Sequence, residues 1–371
     1  MSTRHRFILL LAVLLTSFWI AAPAAYAKET RTTVPVFVDT DIGVDDAVAI
    51  AYLLRSRDAQ VLGFTTVSGN TSADNATRNL LTLLAAAQVQ LPVTVGAPAP
   101  LQVPASRTGA FVHGPSGLWF SQGQYDVSGL PHDAPAAIAT AARANPGMTL
   151  IALGPLTNIA QAALRFPQEM RGVKVVALAG SRGPGNSTPV AEFNAFYDPH
   201  ALDIALESGL NVTLVTLDAF DEVTFDSQAF PQQLAAEGGA LGQFLAAPLG
   251  AYMAAQTQGA GGMAAIPDVA AAVYALRPSL GTPQSALVDV SADQALTRGQ
   301  TVIGLTMQQR VTMIASDEQM SALADQLFTV PGFDFSMALY QILMQRPDNA
   351  QVVLEVKGRA MARLAEQALT R

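Results

Sequence analysis

Val34-Pro-Val-Phe-Val-Asp-Thr-Asp-Ile-Gly-Val-Asp-Asp-Ala-Val-Ala-Ile50 sets four carboxylates, Asp39, Asp41, Asp45 and Asp46, at the end of a β-branched run. The run predicts a buried strand. The apolar spacing of Val44, Val48, Ala51 and Leu54 predicts an amphipathic helix, so the acids fall on a strand-to-helix turn. In open α/β sheets, ligands bind at that carboxyl end of the strands. Two like charges about 4 Å apart repel by about 4 kcal/mol at an effective dielectric near 20, so converging carboxylates call for a cation or a proton. One Asp alone would suffice as a helix cap; four together favour a hard divalent metal.

Outward from this turn, short apolar runs alternate with helical patterns. Val61 to Val67, Thr149 to Leu153, Val173 to Leu178 and Val212 to Leu217 predict strands. Asp74 to Ala86, Pro135 to Ala144, Asn158 to Arg165 and His200 to Glu207 predict helices. This alternation predicts an α/β fold, a mostly parallel central sheet with helices on both faces. Two glycine-rich segments, Gly180 to Pro189 and Gln258 to Met263, are candidate loops near a site. After Phe328 the pattern turns helical, with a Pro-Gly break at 331 to 332, which predicts a helical C-terminal extension over residues 329–371 that packs on the domain of residues 28–328.

Residues 1–27 carry a basic start at Arg4 and Arg6, an apolar run from Phe7 to Ile20 and the small-residue site Ala25-Tyr26-Ala27. That is the pattern of a cleavable signal peptide, too short for a stable membrane anchor. Losing it removes two of 21 basic residues and none of 29 acids, moving the formal net charge from −8 to −10. An acidic chain without basic clusters is a poor partner for nucleic acid. With no cysteine, thiol catalysis, disulfides and Cys-based zinc sites are excluded. The three histidines beyond the signal, His113, His132 and His200, show no HxxxH spacing, so a metal would be held mainly by oxygen, as calcium or magnesium is.

Asp39-Thr-Asp-Ile-Gly-Val-Asp-Asp46 resembles the DxDPGxDD signature of the inosine-uridine nucleoside hydrolases, with Ile42 in place of the usual proline. Further blocks follow in family order over residues 34 to roughly 310: Thr65-Thr-Val-Ser-Gly-Asn70, His113-Gly-Pro-Ser-Gly-Leu118, Gly154-Pro-Leu-Thr-Asn158, and Gly185-Asn186 with Ala191-Glu-Phe-Asn194 and Asp198-Pro199. The resemblance implies calcium-dependent hydrolysis of the N-glycosidic bond of ribonucleosides, giving free base and ribose. By the same resemblance, Asp41, Asp46, the Thr157 carbonyl and Asp268 match the calcium ligands, and Asp41 is also the general base. Asp45, Asn70, Asn186, Glu192 and Asn194 match the groups that hold the sugar. It further implies a homodimer or homotetramer. The chemistry suits the residues, since amides and carboxylates offer the donors and acceptors that vicinal hydroxyls need, and cleavage passes through an oxocarbenium-like centre.

The resemblance weakens on the base side. Pro267 stands where many relatives carry a histidine linked to leaving-group protonation, and proline has no titratable group. Leu178 and Ala179 replace part of a Met-Gly-Gly. Tyr252, Tyr197 and His113 are the candidates left to assist the leaving group. Two other functions compete: a non-catalytic exported nucleoside- or ribose-binding protein, and a haloacid-dehalogenase-like phosphatase with Asp39 as nucleophile, Asp41 as acid and magnesium. The phosphatase scheme puts Gly43 at a Thr/Val position and gives Asp45 and Asp46 no task. An EF-hand fails because Ile50 occupies the chelating position. Asn70-Thr-Ser72 and Asn186-Ser-Thr188 are glycosylation sequons inside the expected pocket, which favours a periplasmic or secreted bacterial protein.

Overall fold

The computed structural model describes residues 33–105, 109–119, 123–292 and 295–371. The expected signal peptide over residues 1–27 lies outside the described residues. Among those described, no helix is long and apolar enough to cross a membrane.

The strands are β1 (Val34–Thr40), β2 (Ala59–Thr66), β3 (Val93–Val95), β4 (Thr149–Ala152), β5 (Lys174–Leu178), β6 (Asn211–Val215), β7 (Thr224–Asp226), β8 (Met263–Ala265), β9 (Gly281–Val290), β10 (Thr301–Gly304) and β11 (Ala350–Val356). Nine of them form one sheet in the order β10-β9-β11-β6-β5-β4-β1-β2-β3, while β7 and β8 pair separately. From β3 across to β11 every neighbouring pair is parallel, and β9 runs antiparallel to both β11 and β10. The sheet is therefore mostly parallel.

β1 is central, so both its faces are covered. Val36 and Val38 pack into one apolar cluster and Phe37 into the other, following the two-residue side-chain period of a strand. Helices Val44–Arg55, Ala73–Ala87, Gly239–Gln256, Pro267–Leu276 and Gly358–Leu369 contribute to the first cluster. Helices Ala134–Ala144, Thr157–Arg165 and Pro199–Glu207 contribute to the second. The expected strands and helices are all present, with ends displaced by a residue or two.

The C-terminal helices expected after Phe328 are present at Phe335–Leu343 and Gly358–Leu369. Between them the chain adds β11, which the helical expectation did not contain. Its residues Val352 and Val353 are fully buried, and the strand fills the sheet between β6 and β9. This stretch is thus woven into the sheet, and residues 33–371 form one compact unit.

Strand order positions the site. From β1 the chain winds to β2 and β3 on one side, then returns to β4, β5 and β6 on the other. The connections leave β1 and β4 in opposite directions, opening a crevice at their carboxyl ends. Asp39-Thr-Asp41 and Leu153-Gly154 stand there.

Candidate active site

Asp46 starts the helix Val44–Arg55 and stabilises its first turn: its Oδ2 accepts from Gly43 N at 2.9 Å and its Oδ1 from the Thr40 hydroxyl. A carboxylate here also meets the positive end of the helix dipole. Asp41 precedes that turn, and Asn70 holds it in place. The Asn70 backbone N–H donates to Asp41 Oδ2 at 2.6 Å, and its amide Nδ2 to Asp41 Oδ1 at 3.3 Å and Asp46 Oδ2 at 3.2 Å. Asn70, expected on the sugar, borders the cavity but commits its amide donors to the carboxylates.

Two glycines of the quoted blocks gain a physical reason. A Cβ on Gly69 would overlap Asp41 Oδ2, and one on Gly154 would lie 2.9 Å from both Asp41 N and Oδ1. Only glycine lets the Ser68-Gly69-Asn70 and Gly154-Pro155 turns close on this carboxylate. The same closure brings the turn before Thr157 against Asp41. Thr157 itself is buried, and its hydroxyl donates to Asp198 Oδ2 at 2.7 Å.

Asp268 enters from the far end of the chain, in the first turn of the helix Pro267–Leu276. One carboxylate oxygen from each of Asp45, Asp46 and Asp268 lies within 4.8 Å of the others, and all three residues are buried. Burial, then the charges of Asp46 and Asp45, push the Asp41 carboxyl well above the usual range. Burial and the charges of Asp46, Asp45 and Asp41 do the same to Asp268. A hard cation would relieve that repulsion.

Asp39 has a different task from the other three acids. It accepts from the Thr65 hydroxyl and from Asn158 Nδ2 (2.7 Å), which also donates to Thr66 O at 2.9 Å. The Asp39 carboxylate therefore ties β1 to β2 and to the helix Thr157–Arg165, and it does not line the cavity. Both bonds go to Asp39 Oδ1, while its Oδ2 is buried without a hydrogen-bond partner.

Above the acids lies a cavity of about 210 Å³, bordered by Asp45, Asn70, Asn186, Glu192, Asn194 and Asp268. Glu192 caps the short helix Phe193–Tyr197, accepting from Gly180 N and Asn194 N at 2.9 Å and Ala195 N at 3.0 Å. Burial nevertheless pushes its carboxyl up to about 7. Asn194 Nδ2 donates to Leu153 O (2.8 Å) and Leu178 O (2.9 Å), bridging the chain just beyond β4 to the end of β5. Its Oδ1 is buried without a hydrogen-bond partner, and so is Asp268 Oδ1. Both residues border this cavity, where a ligand or ion could supply the missing partners. An all-oxygen set of carboxylates fits calcium or magnesium.

His113 and Tyr252, drawn from distant segments, form the opposite wall. Their rings stack with centroids 5.4 Å apart, and Tyr252 Oη donates to Asp45 Oδ2 at 3.1 Å. His113 Nδ1 accepts from Val44 N at 3.2 Å and lies 3.5 Å from Asp45 Oδ1. Burial lowers the His113 pKa, keeping the ring neutral. Tyr197, the third candidate, is buried and does not line the cavity. Phe193 and Phe220 also border it; Phe193 sits inside the quoted Ala191-Glu-Phe-Asn194 block, whereas Phe220 lies in no motif. The loop Gly180 to Pro189 does reach the site, through Asn186 and Ser187.

An acid-floored, amide-walled cavity at the reversal point of a doubly wound sheet is suited to a hydroxyl-rich ligand beside a hard cation. Comparison with known proteins gives that architecture a family. Residues 36–363 match the family described as inosine-uridine preferring nucleoside hydrolase. Over 280 residues the chain is 36% identical to the non-specific ribonucleoside hydrolase RihC of Escherichia coli (strain SMS-3-5 / SECEC), covering 73% of this chain and 88% of the relative. Among solved structures, a plant nucleoside hydrolase, PpNRh1, is 26% identical with a TM-score of 0.73, covering 91% of this chain and 99% of that one. An inosine-guanosine nucleoside hydrolase at 22% identity shares the fold, with a TM-score of 0.74 over 91% of this chain and 99% of its own. The chain belongs to the inosine-uridine preferring nucleoside hydrolase family.

Proposed function

We propose that this protein is a calcium-dependent ribonucleoside hydrolase that splits the N-glycosidic bond with water, giving free base and ribose. The pair of orphaned buried acceptors, Asp268 Oδ1 and Asn194 Oδ1, carries the assignment, because both belong to residues that border one cavity between a cation-type acid cluster and a sugar-type wall.

Asp41, Asp46, the Thr157 carbonyl and Asp268 would hold the calcium ion. When bound, the ion supplies positive charge that offsets the converging carboxylates and Lewis acidity that favours ionisation of water. Asp41 accepts the proton of the attacking water as general base; the two Asn70 donors fix its carboxylate in one orientation. Asp45, Asn186, Glu192 and Asn194 hold the ribose hydroxyls, with Asn70 bordering them. Asn194 is preset for this, since its Nδ2 bonds leave Oδ1 without a partner. Glu192, fastened by three backbone N–H groups, stands ready to accept from a hydroxyl or, protonated, to donate to one. Positive charge developing at the anomeric carbon is stabilised by the acidic floor.

The signal-like residues 1–27 support export to the periplasm or medium, and a homodimer or homotetramer is part of the same proposal. Ribose release by the mature protein from purine and pyrimidine nucleosides, with calcium and with a chelator, tests the function. Release that stops on chelation and returns with calcium is expected. Equal release in both conditions removes calcium, and no release from any riboside removes the hydrolase assignment. Melting curves give a second readout: calcium at 100 times its Kd should stabilise the fold by about 2.7 kcal/mol.

A further inference from the structure

The cavity does not end at Tyr252. A second recess of about 500 Å³ shares Val112, Asn186, Phe220, Tyr252 and Pro267 with the ribose cavity and continues outward to Asp218 and Asp221. For a riboside whose sugar lies against Asn194 and Glu192, the residues shared by the two cavities give the base a way into this recess. Phe220 and Tyr252 border the recess, and among the described residues its charged side chains are Asp218 and Asp221, with no Lys, Arg or His lining it.

Its polar groups differ in how far they are already committed. Gln256 pairs with the Ala265 backbone, donating to its O at 3.0 Å and accepting from its N at 3.1 Å. Asp218 accepts from Arg182 N at 2.8 Å and Gly183 N at 3.1 Å, holding the loop that carries Asn186. Asp221 follows the short helix Leu217–Phe220, and its backbone N–H closes on Leu217 O. Partial burial and the charge of Asp218 raise its carboxyl pKa, a repulsion that a positive ligand would relieve.

No strong acid faces the base from the inner wall either. The Tyr252 hydroxyl is committed to Asp45, donating to its Oδ2 at 3.1 Å. His113 Nδ1 is an acceptor for Val44 N–H, and Pro267 carries no proton to give. A neutral base leaving unprotonated would acquire negative charge beside Asp218 and Asp221, an unfavourable like-charge arrangement.

Building on the hydrolase assignment above, we infer that the preferred substrates are ribosides whose base bears a fixed positive charge, N-alkylated purines or pyridinium bases, with Asp221 as the specificity-determining residue. The step balances without an acid on the enzyme. The C1′–N bond breaks, its electron pair passes to the ring nitrogen, and the base departs neutral. Water oxygen bonds to C1′, and its proton goes to Asp41 and then to solvent. Tyr252 and Phe220 border the space the cationic ring would occupy. Because the base keeps part of its charge in the transition state, Asp221 stabilises the bound substrate and the reacting one alike, so its effect falls chiefly on KM.

Steady-state ribose release by the calcium-loaded full mature chain tests this with matched probes: 7-methylguanosine against guanosine, and nicotinamide riboside against uridine. Wild type should favour each charged member by at least tenfold in kcat/KM. Asp221→Asn should lower that preference about fivefold, through KM, as expected for one partly screened ion pair. A preference unchanged in Asp221→Asn overturns the inference. Release from the neutral members at equal or greater kcat/KM overturns it while leaving the hydrolase assignment standing. Release from none of the four overturns both.

Discussion

Around the carboxylates nearly every hydrogen bond is assigned: Asn70 fixes Asp41 and Asp46, Glu192 collects three backbone N–H groups, and Asn194 bridges two carbonyls. Across the cavity, between Tyr252 and Asp221, the wall includes two rings, Pro184 and Pro267, and the carboxylates of Asp218 and Asp221. The first region is preorganised for one geometry, as chemistry at a single carbon demands. The second is a shaped recess that can sort bases by charge and ring size. If, as proposed, the reaction is built into one wall and selectivity into the other, substitutions in the two regions should separate kcat from KM.

The largest effect should come from Asp41→Asn. Removing the general base should lower kcat by about 10³-fold while circular dichroism and cooperative melting stay native. A kcat near wild type would take the base away from Asp41. Next comes Gly69→Ala, whose Cβ would overlap Asp41 Oδ2 without touching the outer recess. It should lower kcat by about 10²-fold and stability by about 1–3 kcal/mol, with the order of substrate preference retained. An altered preference would show that the two walls are coupled.

Glu192 gives a stability measurement. Its carboxyl, pushed from an ordinary 4.5 up to about 7, binds a proton in the folded state that the unfolded chain releases earlier. Its contribution is therefore full below pH 4.5 and is lost as pH rises through about 7. Urea melts of Glu192→Gln should show a shallower loss of stability than wild type across that window. Identical slopes would mean that the three N–H donors keep the carboxylate charged throughout. The smallest effect is expected of Tyr252→Phe, which keeps the stacked ring but removes the hydroxyl donated to Asp45. KM should rise about fivefold with kcat within about twofold, the scale of one ordinary hydrogen bond of about 1 kcal/mol. A fall in kcat comparable to that of Asp41→Asn would make this hydroxyl the leaving-group acid and break the division between the walls.

The sequence by itself determined the strand-to-helix turn after β1, the alternation that makes a parallel sheet, and the acids and amides that border the cavity. These are local properties: apolar period, capping chemistry and the spacing of carboxylates within one turn. Only the tertiary structure decided which acids face which way. Asp39 and Asp41 are two residues apart, yet Thr65 and Asn158 draw one into the sheet while Gly69 and Gly154 close around the other. The same holds for Tyr252 and His113, which meet only because the helix Gly239–Gln256 crosses the turn after β1. β11 was hidden for a related reason: its pattern is completed by partners β6 and β9, far away in the chain. Long-range pairing leaves no period in the sequence, because the free energy that selects it comes from burial against neighbours the local chain does not contain.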